Sequence, residues 1–593
     1  MANENLVHLK INGIETAVPA GSTLLDAARA AGVRIPTLCF LKDINEVGAC
    51  RMCVVEVARA RSLVTACVYP VAEGMEVFTN TPKVMDSRRR TLQLLLSNHN
   101  RSCLSCVRSG ACELQTLAHE LGVTDETYFD GDKTPSEIDD SAVHMYRDNS
   151  KCILCMRCTA VCEKTQGIGV IGKNHRGFNT NIGSAFEMPL DETECIHCGQ
   201  CIAVCPTGAL SETDDTGKVI VALQDPTKHV IVQTAPSIRA ALGEEFGYPI
   251  GTPVTGKMVA AMRRLGFERV YDVNFGADLT IMEEGTELLG RLTNKGVLPM
   301  ITSCSPGWVN YAECNYPDLL PHLSSCKSPH QMQGAIIKSY WAKEKGYDPK
   351  DVFVVSVMPC IAKKYEKDRD VMEVDGIRDV DAVITTRELA RMIRRCGIRF
   401  DRLPDEEWDQ DIMGDYSGAG VIFGVTGGVM EAALRTVYFK ITGKEYGKVV
   451  FEEVRGHEAG IREATIDING TKVSVAIASG MKSAKVLLDE IRAGKSKYQF
   501  IEIMGCPGGC INGGGQPYVR PVFMPNESDD ILDTYKEKRA KALYSEDERQ
   551  TIRQSHNNPQ IAELYKKFLG EPNSHLAHEL LHTTYAGRDA FRN

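Results

Sequence analysis

Two cysteine runs, KCILCMRCTAVC (151–162) and CIHCGQCIAVCP (195–206), decide the architecture of this chain. In each run three cysteines are separated by two residues, and a fourth follows after three more. Thiolates at the shorter spacing lie on a tight turn and can face one metal cube, while the fourth points elsewhere. Zinc ribbons and disulfides are the alternatives, but zinc sites rarely use a triple CxxCxxC run. The runs therefore predict iron–sulfur cubanes and a protein that transfers electrons.

In two-cluster ferredoxins the last cysteine of each run ligates the other cubane. For residues 140–215 this rule predicts a module with two [4Fe-4S] clusters. The predicted ligand sets are Cys152, Cys155 and Cys158 with Cys205, and Cys195, Cys198 and Cys201 with Cys162.

Composition limits the classes of function. The chain has 593 residues, a net charge of −10 and a pI of about 5.9. It has no long basic block, so we expect no nucleic-acid partner and read SRRR (87–90) as a solvated helix face. No apolar run approaches the roughly 18 residues of a membrane span. The 22 cysteines cluster at ligand spacings and the start lacks a secretory signal, so we expect a reducing cytoplasm.

Residues 1–80 show a strand, an Asn12-Gly13 turn, a second strand and a helix capped at 21–23. This order is typical of a β-grasp ferredoxin. A close Cys-x2-Cys pair with one cysteine on each side suits a [2Fe-2S] cluster, although the spacing differs from the plant type. The predicted ligands are Cys39, Cys50, Cys53 and Cys67.

Residues 81–125 contain a helix followed by the motif His-x3-Cys-x2-Cys-x5-Cys. Three thiolates and an imidazole could bind zinc. Between two iron–sulfur modules, however, the motif predicts a [4Fe-4S] cluster with one histidine ligand. The candidate ligands are His99, Cys103, Cys106 and Cys112. The acidic stretch 126–145 is predicted to be a linker.

Residues 225–520 alternate short apolar strands with helices, which predicts an α/β domain with parallel sheets. Cysteines follow several strands directly, and the carboxyl ends of strands are where such folds bind ligands. Cys506 and Cys510 are expected to lie one helical turn apart. Spacing alone predicts only that Cys304, Cys360, Cys506 and Cys510 assemble a metal site. The other cysteines, Cys314, Cys326 and Cys396, are predicted to be buried small residues.

Three segments carry a resemblance to a known family. TSCSPGW (302–308), VMPCIAKK (357–364) and GCPGGCINGGGQP (505–517) resemble the signature loops of [FeFe]-hydrogenases. The order of the N-terminal modules is similar to that of the large multi-cluster members. The helical tail, 521–593, resembles a segment that is a separate small subunit in some relatives. The resemblance thus implies a multidomain α/β and α+β architecture.

The resemblance also implies an H-cluster, which is a [4Fe-4S] cube joined through a cysteine to a diiron unit carrying CO, cyanide and azadithiolate. Cys360, Cys506 and Cys510 match cube ligands, with Cys510 as the bridge. Lys363 matches a residue that donates to cyanide, an anionic acceptor. His330 stands where relatives often have glutamine. The implied pocket lining is Ala235, Pro236, Ser237, Met358, Met504 and Phe423.

The first loop departs from the family pattern. Family members commonly have adjacent cysteines there, a proton-relay thiol and then a cube ligand, whereas this chain has Cys304-Ser305. Either Cys304 ligates the cube and Ser305 relays protons, or Cys304 relays protons and Ser305 supplies an oxygen ligand. The sequence leaves both assignments open.

The resemblance assigns Glu284, Ser324, Glu287 and Arg291 to a proton path beyond the cysteine. Independently, Glu284 and Glu287 are three residues apart in an apparent helix, IMEEGTELLGRL (281–292), and share a face. Without the resemblance we would read these glutamates as solvated.

These observations predict a cytoplasmic hydrogenase catalytic subunit with one [2Fe-2S], three [4Fe-4S] clusters and an H-cluster. The expected partners are ferredoxin or flavin and Fe–S subunits that oxidise NAD(P)H, together with maturation proteins, and an electron-bifurcating hetero-oligomer is favoured. A stand-alone ferredoxin-linked hydrogenase, an electron-transfer subunit of the complex I or formate dehydrogenase type, and an H2 sensor are the alternatives. The cysteines after residue 300 argue against the electron-transfer subunit.

Overall fold

A computed structural model of the chain describes residues 5–124, 131–134, 136–446, 449–454, 460–520 and 531–588. Residues 126–130 and 135 of the predicted linker lie outside the described residues. The described residues form both helices and strands, and none of these helices is long and apolar enough to cross a bilayer.

The first unit is a five-stranded mixed sheet with one helix against it. The order of its strands is β2-β1-β5-β3-β4, with β1 and β5 parallel. Asn12 and Gly13 adopt positive φ in the predicted turn, and Thr23 caps the helix through a capping box with Asp26. The elements are β1 Leu6–Ile11, β2 Ile14–Pro19, α1 Leu24–Ala30, β3 Val54–Val57, β4 Val64–Thr65 and β5 Glu76–Phe78.

The middle of the chain consists of short elements around the cysteine loops. Arg88 is 4% exposed and donates to the Val54 carbonyl, so the prediction of a solvated face for residues 87–90 is wrong at this position. The elements are α2 Pro82–Asn98, α3 Glu113–Glu120, β6 Ile138–Asp139, β7 Met145–Asp148, α4 Arg157–Ala160, β8 Gly172–Asn174, β9 Asn181–Gly183, α5 Gln200–Val204 and β10 Leu210–Glu212.

Two sheets form the centre of the third unit. In the first, with strand order β12-β11-β14-β17, all neighbours are parallel. In chain order, the elements from residue 216 to residue 395, which include β13 of the second sheet, are α6 Thr216–Gln224, β11 His229–Thr234, α7 Thr255–Leu265, β12 Arg269–Asp272, α8 Asn274–Thr293, β13 Met300–Ile301, α9 Pro306–Asn315, α10 Pro329–Ile336, α11 Ala342–Lys345, β14 Val352–Met358, α12 Ala362–Lys367, β15 Glu373–Val374, β16 Ile377–Arg378, β17 Ala382–Thr385 and α13 Thr386–Arg395.

The second sheet has the order β13-β21-β20-β19-β18. Its first three strands are parallel, but β19 and β18 are antiparallel, so the expectation of purely parallel sheets is wrong at this edge. Hairpins need only a short turn, which lets an antiparallel edge extend a parallel core. The remaining elements here are α14 Gly418–Ile422, α15 Gly428–Thr442, β18 Glu452–Glu453, β19 Ile461–Ile468, β20 Thr471–Ser479, α16 Met481–Arg492 and β21 Phe500–Met504.

The described part of the tail is helical and packs on the third unit. Tail residues Ile561, Leu564, Leu580 and Leu581 are buried in the same apolar core as the first sheet. Burying this face removes apolar area from water, which is the main driving force for the docking. The helices are α17 Ile531–Arg549, α18 Pro559–Leu564 and α19 His575–Leu581.

Candidate metal centre

The four cysteines of the first unit converge as two buried thiol pairs. Cys53 Sγ lies 3.3 Å from Cys67 Sγ. Cys39 is hydrogen-bonded to Cys50, which lowers the pKa of Cys39 to about 7. All four are at most 8% exposed. Two thiols per side is the arrangement that a [2Fe-2S] cluster requires.

His99 offers an imidazole nitrogen without a partner. The side chain is 7% exposed, and its Nδ1 has no hydrogen-bond partner among the described residues. Burial lowers the pKa of His99 to about 4, which keeps the ring neutral and able to bind a metal. Cys106 contributes to the raised pKa of Cys112, which burial brings to about 11. An unpaired buried nitrogen four residues before the first cysteine of this motif fits an Fe–S ligand set.

The two cysteine runs of the middle unit form the two predicted groups. Burial raises the pKa of Cys152, Cys155 and Cys158, and the nearby thiolate of Cys205 raises each further. In the same way burial raises the pKa of Cys195, Cys198 and Cys201, and the nearby Cys162 raises each pKa further. Cys162 lies in a π-helical turn and Cys205 ends α5, so each reaches the opposite group. Whether they ligate iron stays a prediction.

The first unit contacts the middle unit, and the middle unit contacts the third, at residues next to their cysteines. Asn45 Nδ2 donates to the Cys39 carbonyl at 2.7 Å and to the Cys155 carbonyl at 2.9 Å. In the third unit, a Cβ on Gly514 would stand 2.5 Å from the Cys198 carbonyl oxygen. Successive cysteine groups therefore adjoin, as electron transfer between clusters requires.

The third unit brings together loops that lie far apart in the sequence. Cys360 follows β14, and Cys506 and Cys510 follow β21. Burial raises the pKa of Cys506, and the thiolates of Cys360, Cys198 and Cys510 raise it further. Burial also raises the pKa of Cys510 to about 12, with Cys360 again the next cause. These three thiols thus form one group that touches the Cys198 group.

Glycines allow the last loop to approach the others. Gly508 and Gly509 have φ of +88° and +95°, and a Cβ on Gly509 would lie 2.6 Å from the Thr426 nitrogen. Cys506 and Cys510 are therefore separated by a glycine turn and not by the expected helical turn. The reason is that the positive φ of both glycines is incompatible with a right-handed helix.

A cavity of about 90 Å³ lies where the loops meet. Its wall is mostly apolar, with thiols on one side and Lys363 entering from α12. Ser237 does not line it but donates to the Cys510 carbonyl at 3.3 Å. The predicted residues that line the cavity are Ala235, Pro236, Cys304, Ser305, Met358, Cys360, Lys363, Phe423, Met504, Cys506 and Cys510. A buried sulfur-rich pocket with a single cation fits an iron–sulfur group that carries anionic ligands.

The first loop separates Cys304 from Ser305. Ser305 Oγ accepts a hydrogen bond from the Gly505 nitrogen at 3.2 Å, next to Cys506. Burial raises the pKa of Cys304, and the Glu284 carboxylate is the next cause. The hydroxyl thus faces the Cys506 loop, while the thiol lies near enough to the carboxylate on α8 for its pKa to be raised.

The predicted proton-path residues are contiguous. Burial raises the pKa of Glu284 to about 8, while a hydrogen bond from Ser324 opposes the rise. Ser324 Oγ donates to Glu287 Oε2 at 3.2 Å, and Arg291 binds Glu287 at 2.6 Å. Glu284 is 2% exposed. The alternative interpretation, in which these glutamates are solvated, is wrong for Glu284.

Sequence reasoning missed Glu366 and Glu502. Glu366 accepts from Lys363 Nζ at 2.9 Å and lies 2.6 Å from His330 Nε2. Burial opposes its charge, but Lys363 and His330 hold its pKa near 2. The i,i+3 spacing from Lys363 could have revealed it. Glu502 is buried within β21, where burial raises its pKa to about 7. Nothing in the apolar strand pattern pointed to it.

The remaining cysteines were predicted to be buried small residues. Cys326 is buried, but Cys314 is half-buried and Cys396 is exposed, so the prediction is wrong for Cys396.

Comparisons with known proteins agree with this geometry. Residues 228–514 match the model of the iron-only hydrogenase large subunit, C-terminal domain, and 533–588 match the iron hydrogenase small subunit. The chain is 48% identical to the NADP-reducing hydrogenase subunit HndD of Solidesulfovibrio fructosivorans, over 98% of this chain and 99% of that one. The chain belongs to the iron-only hydrogenase family. Proteins named as iron hydrogenases are oxidoreductases that act on H2. This hydrogenase also carries ferredoxin-like modules.

The N-terminal part of this hydrogenase matches three iron–sulfur models. They are a 2Fe-2S cluster binding domain (4–82), an NADH-ubiquinone oxidoreductase-G iron–sulfur region (88–127) and a 4Fe-4S dicluster domain (151–209). Iron hydrogenase 1 of Clostridium pasteurianum is 44% identical over 97% of this chain and 99% of that one. A structure of [FeFe]-hydrogenase HydA1 from Chlamydomonas reinhardtii is 44% identical, with a TM-score of 0.57, and covers 64% of this chain and all (100%) of that one.

Proposed function

We propose that this hydrogenase catalyses 2H⁺ + 2e⁻ ⇌ H2 at an H-cluster seated in the cavity between its three cysteine loops. One observation carries the proposal: Cys506, which lines the cavity, is near the cluster-type cysteine Cys198, and Cys304, which lines the same cavity, is near the buried acid Glu284. A source of electrons and a source of protons would therefore both adjoin the cavity. H2 chemistry needs both.

Cys360, Cys506 and Cys510 are proposed to hold the cube, with Cys510 also bound to the diiron unit. Ser305 would take the fourth position, because its hydroxyl already lies against the Gly505-Cys506 loop. When bound, the group supplies a redox-active iron with an open coordination position for hydrogen. Lys363 would donate to an anionic ligand of that group, and Glu366 and His330 orient its ammonium.

Cys304 is proposed as the inner proton relay. Its thiol lies near Glu284, whose raised pKa of about 8 leaves the acid protonated at neutral pH and able to give up a proton. In the direction of H2 formation Glu284 passes a proton to Cys304 and regains one through Ser324 from Glu287. Arg291 holds Glu287 in place through an ion pair and binds the carbonyls before Ser324.

The N-terminal modules are proposed to carry electrons through one [2Fe-2S] and three [4Fe-4S] clusters. The cluster at 81–125 would use His99, whose unpaired Nδ1 supports this role. The domain limits that we propose are 1–80, 81–125, 140–215, 225–520 and 521–593. The tail would act as an attached small subunit.

We infer that the hydrogenase works in the cytoplasm within a hetero-oligomer that exchanges electrons with NAD(P)H and ferredoxin. The support is the HndD relative, which is named a subunit of an NADP-reducing hydrogenase. Partner flavin and Fe–S subunits would oxidise the nucleotide, and maturation proteins would supply the diiron unit. Electron bifurcation between NAD(P)H and ferredoxin follows as the favoured mode.

Turnover and co-purification test these proposals separately. Matured protein should evolve H2 from a reduced artificial dye, and lack of turnover with full iron content would contradict the assignment. Protein purified anaerobically from the native cell should carry flavin-containing partners and couple NADPH or NADH to H2. A preparation without partners that uses ferredoxin alone would favour the stand-alone enzyme.

A further inference from the structure

The end of the tail is paired with the segment that carries the proton path. Lys327 N donates to the Leu581 carbonyl at 2.8 Å, and Thr583 N donates to the Ser325 carbonyl at 2.7 Å. An isolated bridge joins Cys326 to His582. This short pairing fixes His582 beside α8 at 8% exposure.

His582 uses both ring nitrogens. Its Nδ1 lies 2.8 Å from Ser325 Oγ, and its Nε2 lies 3.1 Å from Glu283 Oε2. Ser325 Oγ in turn lies 3.1 Å from Glu287 Oε2, the same oxygen that accepts from Ser324. A continuous chain of hydrogen bonds therefore runs from Ser324 through Glu287 and Ser325 to His582.

We propose that His582 is a proton-relay residue through which the tail extends the path from Glu287 outward. The inference rests on the proposed proton path and adds a further route from Glu287. The ring of His578, on the exposed side of α19, lies 4.1 Å from the His582 ring, so the outer end of this chain of hydrogen bonds adjoins a titratable group at the surface.

The step moves one proton and no electrons. For H2 formation, His582 starts protonated on both ring nitrogens; Nδ1 gives its proton to Ser325 Oγ while the Ser325 hydroxyl proton passes to Glu287, so that serine stays neutral and His582 ends as a neutral ring that keeps its Nε2 proton. His582 regains a proton from the solvent side. Imidazole suits this step because it gains and loses a proton readily between pH 5 and 8. The titratable groups around the ring are Glu283 and Glu287 on α8, Tyr565 and His578 on the tail, and Cys326.

A metal site is the competing use of these residues. Ligand atoms of Glu287, Cys326 and His582 lie within 4.8 Å of one another. However, both nitrogens of His582 already have partners, and Arg291 already neutralises Glu287. Burial also raises the pKa of the Cys326 thiol, which opposes the thiolate a metal needs. The hydrogen-bonded relay accounts for both polar contacts of the ring.

The test compares His582→Gln with wild type in matured, full-length protein. Glutamine can keep bonds to Ser325 and Glu283 and thus the docking of the tail, but it does not carry a proton. We expect H2 evolution to fall by about tenfold, less than the roughly hundredfold effect of losing a positioned acid. The pH profile should change and the solvent isotope effect should rise. Iron content and melting temperature should stay as in wild type.

Two further variants keep the result interpretable. Ser325→Ala removes the hydroxyl that links His582 to Glu287 and changes no residue of the tail. It should reproduce the loss of H2 evolution even if His582→Gln folds poorly. His556→Gln changes another tail histidine, which pairs with Glu445 away from the path, and should leave turnover and pH profile unchanged.

The outcomes separate this inference from the proposed function. Wild-type rates and isotope effects in both His582→Gln and Ser325→Ala, with Glu287→Gln impaired, would remove His582 from the path. Wild-type behaviour of Glu287→Gln and Glu284→Gln would instead overturn the path itself. Zinc that co-purifies with wild type and is lost from His582→Gln would assign the cluster to metal binding.

Discussion

The ferredoxin module and the catalytic domain gather their cysteines in opposite ways. In the module, two short runs bring all the thiols together, and only Cys162 and Cys205 cross to the other group. In the catalytic domain, Cys360 and the Cys506–Cys510 loop follow strands of different sheets. Local spacing can therefore define an electron-transfer cluster, whereas the reactive centre depends on the tertiary packing of the whole domain. That packing also forms the mostly apolar cavity at the centre.

The largest expected loss of H2 turnover comes from removing one of the catalytic-domain thiols, which lie on loops far apart in the sequence. Cys360→Ala should abolish H2 turnover, because the cube loses a ligand that no neighbouring residue can replace. The N-terminal clusters, whose ligands are local, should remain. Iron analysis and electron paramagnetic resonance of reduced protein measure both. The exposed Cys396→Ala is the matched control and should behave as wild type; loss of the N-terminal signals in Cys360→Ala would break the comparison.

Next in size is the acid beside the cavity. Glu284→Gln should lower turnover by about 10²–10⁴-fold, the usual contribution of a positioned proton donor, while cluster content survives. Turnover with a reduced dye and iron content give the two readouts. Glu344→Gln, an exposed glutamate on α11, should have no effect. Unchanged turnover in Glu284→Gln would remove this residue from the path.

The pH dependence follows from the same carboxyl group. Its pKa is raised to about 8, so it is protonated below that pH and charged above it. H2 evolution, which needs the acid, should fall as the pH rises through about 8. H2 oxidation, which needs the carboxylate as acceptor, should be favoured above it. Initial rates in both directions from pH 6 to 9 test this, and parallel profiles in both directions would contradict the role of Glu284.

A smaller effect is expected at the histidine of the 81–125 segment. His99→Ala should alter the spectrum or potential of one cluster, because it removes the buried imidazole with the unpaired nitrogen. Dye-linked turnover should change little, since the catalytic centre is untouched. His119→Ala, exposed on α3, is the control. An unaltered set of cluster signals in His99→Ala would show that another group holds this cluster.

The smallest effects concern stability, and two glutamates of α3 make a matched pair. Glu113 is buried and binds Arg157 at 2.8 Å and Arg520 at 2.5 Å, so Glu113→Gln leaves buried cations unpaired and should cost about 3–5 kcal/mol. Glu120 pairs with Arg34 at the surface, and Glu120→Gln should cost no more than about 1 kcal/mol. Anaerobic denaturant titrations measure both. Equal costs would show that Glu113 does not join the units.

Much of the fold and the site could be predicted because the signals were local. Asn12-Gly13 fixes its hairpin, and the spacing of the cysteine runs was enough to predict two groups of neighbouring thiols. The sequence could not place Glu366 and Glu502, because a glutamate in a helix or strand gives no sign of the cation or cavity that tertiary packing brings to it. Arg88 was misread for the same reason, since its buried partner is the carbonyl of Val54, far along the chain.

Infrared spectroscopy of the matured protein tests the central claim most directly, which is that three distant loops hold one iron assembly in the cavity. The account predicts bands from iron-bound CO and cyanide, with the cyanide bands shifted in Lys363→Met because its ammonium no longer donates to that ligand. A fully iron-loaded, matured protein without such bands, or with zinc bound among Cys360, Cys506 and Cys510, would contradict the account.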